Sequence, residues 1–81
     1  MTKIGEIENF FSNISVAVLN VTDGTLKIGD KIKIKGATTD FEMQVKSMQI
    51  DRKDVESVKA GQKVGIKVPD RVRPKDEVFL V

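Results

Sequence analysis

Lys31-Ile32-Lys33-Ile34-Lys35 alternates basic and aliphatic side chains without a break. Successive side chains of a β-strand point to opposite faces, so this spacing puts Ile32 and Ile34 on one face and the three lysines on the other. The same period of two recurs at Val64-Gly65-Ile66-Lys67-Val68. Val16-Ala17-Val18-Leu19 is apolar at both parities, which places that strand centrally. No window carries a helical period of 3.6 with capping residues, and the many β-branched residues suit strands.

Turn residues cut the chain into short pieces. Strands are expected near 2–9, 14–21, 30–35, 41–50, 63–68 and 76–81. Asp23-Gly24 and Gly29-Asp30 read as tight turns. Residues 51–61 form the longest connection, with room for one helical turn. Pro69 and Pro74 keep Asp70-Arg71-Val72-Arg73 out of any central strand. Within 41–50, Phe41, Met43 and Val45 share one parity while Met48 and Ile50 share the other. One face cannot hold both sets, so a bulge or bend is predicted near Lys46-Ser47, with Ile50 inward beyond it. Short strands about 8–12 residues apart point to a β-sandwich or small barrel.

Composition narrows the chemistry. With 81 residues the chain makes one domain, 1–81, and a small core. It has no cysteine and no histidine. That excludes disulfides, thiolate metal sites and any catalysis that needs a histidine base or a thiol nucleophile within this chain. No G-x-x-x-x-G-K-[ST] occurs, so no phosphate-cradling loop of that kind and no nucleotide cofactor is expected. No cofactor or metal is expected at all. No stretch approaches the roughly 20 apolar residues of a membrane span, and Glu6 and Glu8 interrupt any leader-like run. No membrane contact is expected, and the cytoplasm is the default location. The net charge of +2 allows nucleic acid as a partner without requiring it.

Thr22-Asp23-Gly24-Thr25-Leu26-Lys27-Ile28-Gly29-Asp30, running into the alternating strand, resembles the second β-barrel domain of translation factors such as elongation factor Tu. Val45-Lys46-Ser47-Met48-Gln49 and Ala60-Gly61-Gln62-Lys63-Val64-Gly65-Ile66 are similar to later strands of that domain. Gly36-Ala37-Thr38-Thr39-Asp40-Phe41 with Ser47-Met48-Gln49-Ile50 resembles, more narrowly, small free-standing translation-elongation-factor-like proteins. Similar barrels occur as C-terminal extensions of collagenase-like peptidases. The resemblance implies an all-β fold, a single Greek-key barrel of six or seven strands. It also implies that Gln49 stands where elongation factor Tu has a glutamate that helps hold the aminoacylated tRNA end. Lys75 replaces the glycine usual before the last strand, so that turn must take ordinary φ values or tolerate strain.

The candidate sites follow. Lys31, Lys33 and Lys35 lie about 6.5–7 Å apart on one face, near the phosphate spacing of an extended strand. They suit a nucleic-acid backbone; equally, lysines on a solvent face aid solubility. Arg52 and Lys53 add charge in the long connection, as do Arg71, Arg73 and Lys75 in the last one. Glu6 and Glu8 share a face, and Thr38-Thr39-Asp40 offers hydroxyls in a turn; solvation and turn bonding account for both. Phe10 and Phe11, being adjacent, point opposite ways: either one goes inward and the other is free to anchor a partner, or a barrel corner buries both. Two functions are set against each other. One is a non-catalytic module binding tRNA, rRNA or a ribonucleoprotein through Lys31, Lys33, Lys35, Gln49, Arg52 and Lys53. The other is a protein-interaction module docking on a collagenase-like peptidase through Phe10, Phe11 and the edge of strand 76–81.

Overall fold

The computed structural model describes all 81 residues, and every regular element is a strand. In chain order these are β1 (Thr2–Phe11), β2 (Val16–Val21), β3 (Thr25–Lys27), β4 (Lys31–Lys35), β5 (Asp40–Gln44), β6 (Met48–Ile50), β7 (Lys53–Asp54), β8 (Ser57–Lys59), β9 (Lys63–Lys67) and β10 (Glu77–Leu80). Eight form one sheet in the order β5-β4-β10-β1-β2-β9-β6-β7, and β3 pairs with β8 as a separate ribbon. All strand pairs are antiparallel.

The alternation does what its period dictates. Ile32 and Ile34 are fully buried, as are Ala17 and Leu19 of β2 and Val64 and Ile66 of β9. They belong to one cluster of 16 buried apolar residues enclosed by the curled sheet. Removing this surface from water is the main favourable term in a chain without disulfides. On the outer side of β2, Val16 and Val18 are half-buried. Gly5 of β1 lies against β2, where a Cβ would overlap the Asn20 carbonyl oxygen.

The predicted break in 41–50 is present. The chain leaves β4 after Gln44 and joins β9 from Met48. Val45 and Met48 are both buried, three residues apart, which a regular strand cannot achieve. Ile50 is half-buried rather than fully inward. This bend carries the chain from one edge of the sheet order to near the other. The expected cylinder is not closed by a ladder, because the two ends of the sheet order, β5 and β7, do not pair. The Val45 N–H donates to Asp30 O at 2.8 Å and the Gly29 N–H to Val45 O at 2.7 Å, which extends the β4–β5 pairing beyond Lys31 and Gln44.

Two expectations are corrected. Residues 51–61 hold no helical turn; they contain β7 and β8. Asp51 and Arg52 both take positive φ (50° and 66°), the pattern of a two-residue hairpin turn between Ile50 and Lys53. The sequence hid it because such turns ordinarily use Asn or Gly. Second, the last strand offers no free edge: β10 lies between β4 and β1. The unpaired edge in that part of the sheet belongs to β5.

Lys75 has φ +76°, so its turn keeps the strain that a glycine would relieve. The left-handed conformation costs an L-residue about 1–2 kcal/mol, against about 0.4–1 kcal/mol of extra unfolded-state entropy for glycine. Lys75→Gly is therefore expected to raise stability by about 0.5–1 kcal/mol, measured as a higher urea midpoint with unchanged slope.

Candidate functional site

The lysine row does not form an open cationic face. Neighbouring strands place carboxylates beside it: Lys31 Nζ lies 3.2 Å from Glu42 Oε1 and Lys33 Nζ 3.4 Å from Asp40 Oδ1. Both partners come from β5, whose register sets Asp40 opposite Lys35 and Glu42 opposite Lys33. Lys33 is itself half-buried. Only Lys35 of the three makes no ion pair. The basic strand face expected as a nucleic-acid track is thus a row of mixed charge.

Gln49, Arg52 and Lys53 meet at the β6–β7 hairpin, at the opposite end of the sheet order from β5 and next-to-last β4. The Gln49 amide donates to Asp54 Oδ1 at 3.0 Å across that hairpin. No ladder joins this group to Lys31, Lys33 and Lys35. Glu6, half-buried, and Glu8, exposed, are partners of Lys3 (3.3 Å) and Lys63 (2.8 Å). Lys3 also reaches Glu77 Oε2 at 2.9 Å. Hydrogen bonds to Glu77 and then Glu6 hold its ammonium above the usual lysine value. That interaction is intact below the ordinary lysine pKa and is lost as pH rises through the raised one. Thr39 is buried, and its carbonyl accepts the Gly36 N–H at 2.7 Å, so this loop is tied into its own turn.

The adjacent phenylalanines divide as the strand geometry requires. Phe10 is half-buried against the core, and Phe11 is 45% exposed. Ile14, in the turn between β1 and β2, is 54% exposed, and its N–H donates to Phe11 O at 3.3 Å. Phe11 and Ile14 therefore crown one hairpin tip. The signal for Ile14 was a single aliphatic residue inside an otherwise polar turn, Ser12-Asn13-Ile14-Ser15.

The last connection folds against the end of β4. Lys35, Arg73 and Lys75 line an open cleft of about 560 Å³ together with Ala37, Pro74 and Phe79. Arg71 and Arg73 border a second, of about 320 Å³, beside Thr38 and Thr39. So the structure brings Lys35 of the lysine strand together with Arg73 and Lys75 of the last loop, and leaves Arg52 and Lys53 apart from both clefts.

Residues 15–70 match the model of the elongation factor Tu domain 2 family. An uncharacterized protease of Methanocaldococcus jannaschii is 48% identical over 80 residues, which is 98% of this chain and 19% of that protein. A collagenase of Porphyromonas gingivalis is 35% identical over 79 residues, 96% of this chain and 22% of that protein. The chain thus spans about a fifth of the length of these curated relatives (19% and 22%). Among solved structures, the C-terminal domain of a U32 peptidase from Geobacillus thermoleovorans superposes with a TM-score of 0.90 at 15% identity, covering 96% of this chain and 98% of that one. At that identity the likeness speaks for the fold.

Proposed function

The chain belongs to the elongation factor Tu domain 2 family, and from that premise we propose that it is a non-catalytic protein-interaction module that docks on a collagenase-like peptidase. The observation that carries this reading is the 48% identity, across nearly the whole chain, to a segment of a protease. The collagenase relative adds to it. The relatives are named as proteases, so the likeness to the C-terminal extensions of collagenase-like peptidases stands ahead of that to the free-standing translation-elongation-factor-like group.

The surface supports docking over RNA binding. A backbone-tracking site needs unpaired cations in register, and Lys31 and Lys33 are occupied by Glu42 and Asp40. Exposed Phe11 and Ile14, by contrast, present apolar area at a hairpin tip, where an anchor can enter a partner pocket.

The test is complex formation with the recombinant catalytic portion of a collagenase-like peptidase, read by sedimentation or calorimetry. Phe11→Ser with Ile14→Ser is expected to weaken the complex at least tenfold, about 1.4 kcal/mol. The same change should leave folding stability within about 0.5 kcal/mol, because both side chains are exposed. Failure of the unaltered chain to bind would overturn the reading.

A further inference from the structure

We propose that the cleft lined by Lys35, Arg73 and Lys75 receives an acidic segment of the partner protein, with carboxylates on its rim and an apolar side chain on its floor. This rests on the docking reading and names the chemistry of a second contact, separate from the Phe11–Ile14 tip.

The argument is first one of charge. Lys3, Lys31, Lys33 and Lys63 each hold a carboxylate. Lys35, Arg73 and Lys75 make no ion pair, yet they share one cleft of about 560 Å³. The two acidic residues that also line it already have partners. Glu77 stands opposite Lys35 in register, but its carboxylate goes to Lys3 of β1 at 2.9 Å. Asp76 is buried, and its carboxylate accepts the Arg73 N–H at 2.9 Å. The lining keeps three cations without an ion pair against two carboxylates that are already bonded, Glu77 to Lys3 and Asp76 to a backbone N–H, so its balance is positive by one charge.

Phe79, Pro74 and Ala37 line the same space. An acidic peptide with an aromatic or aliphatic side chain matches these charges and this apolar lining together, and the protease relatives favour it over a nucleic acid whose bases would stack on Phe79. The backbone is the second observation. Lys75 holds φ +76° where glycine would be the relaxed choice. Strain of this kind persists where a side chain has a use that offsets it.

The experiment titrates the ¹⁵N-labelled full chain with the peptide acetyl-Asp-Glu-Phe-Glu-Asp-amide at low ionic strength. Saturable shifts are expected at the amides of Gly36, Ala37, Arg73, Lys75 and Asp76, weakening steeply with added salt. Lys35→Gln with Arg73→Gln should reduce affinity about tenfold, because exposed ion pairs contribute little each. Lys75→Gly should bind more weakly while unfolding at higher urea. The uncharged peptide acetyl-Asn-Gln-Phe-Gln-Asn-amide should leave those amides unmoved. No shifts with the acidic peptide, equal affinity in the double variant, or tighter binding of single-stranded RNA at the same amides would overturn the proposal. The titration needs no peptidase. Its failure is therefore distinct from a failure of the docking reading, which is read from complex formation and from Phe11 and Ile14.

Discussion

Ile34→Ala is expected to cost about 2–5 kcal/mol, the range for truncating a fully buried aliphatic side chain, while Lys33→Ala beside it should cost under about 1 kcal/mol. Ile34 has no exposed surface and lies on a strand paired on both sides, opposite Val78 of β10 on one side and Phe41 of β5 on the other. Both neighbours are fixed by backbone pairing, so the site cannot collapse to fill the space, and the cavity term adds to the lost transfer energy. Lys33 loses only an ion pair to Asp40 at 3.4 Å on the outer face. Total stability in a domain this small lies toward the low end of about 5–15 kcal/mol. Ile34→Ala should therefore leave a measurable unfolded population in water. Urea unfolding followed by circular dichroism checks it. Equal costs at 33 and 34 would mean that the alternation does not sort the strand into an inner and an outer face.

That alternation is also why most of the fold was legible in the sequence. β2, β4 and β9 each carry two or three inward aliphatics at every second position, and each lies where the pattern places it. The parity conflict between Val45 and Met48 marked the bend because two buried residues three apart cannot share a strand face. The ribbon of β3 and β8 escaped because each strand contributes one inward residue, Leu26 and Val58, which cannot make a period. The β6–β7 hairpin escaped because its turn is Asp51-Arg52, a pair with no turn signature.

The candidate site was less legible, for a reason that periodicity cannot supply. Alternation says that Lys31, Lys33 and Lys35 point outward; it does not say which strand lies beside them. Pairing with β5 brings Asp40 and Glu42 alongside and cancels the row. Pairing with β10 brings Lys35 next to Glu77, whose charge is already taken by Lys3. Whether a lysine is spare is a property of sheet order, and sheet order is set by long-range contacts that no local window contains. The same holds for Arg73 and Lys75, which the chain places forty residues from Lys35 or nearly so and the fold places against it.

Gly36→Ala should be the second large loss, about 2–4 kcal/mol, and it should depend on Asp76. A Cβ built on Gly36 overlaps the Asp76 carboxylate, which is buried and cannot swing into solvent. That carboxylate accepts the Arg73 N–H, and the Asp76 N–H donates to Arg73 O at 3.1 Å, so the two residues close the turn before β10 between them. Crowding a packed site costs about 1–3 kcal/mol, and displacing a charged acceptor from its N–H adds about 1.5–3 kcal/mol where the bond breaks. Asp76→Ala alone loses the bond but leaves space. In the double variant the added methyl meets no carboxylate, so its cost should fall short of the summed single losses by at least about 1 kcal/mol. Strict additivity would show that the overlap is relieved elsewhere. The turn also carries Arg73 and Lys75, so Gly36→Ala should weaken the acidic peptide even where the protein remains folded. A variant that kept full peptide affinity would separate the cleft from the turn that is argued to build it.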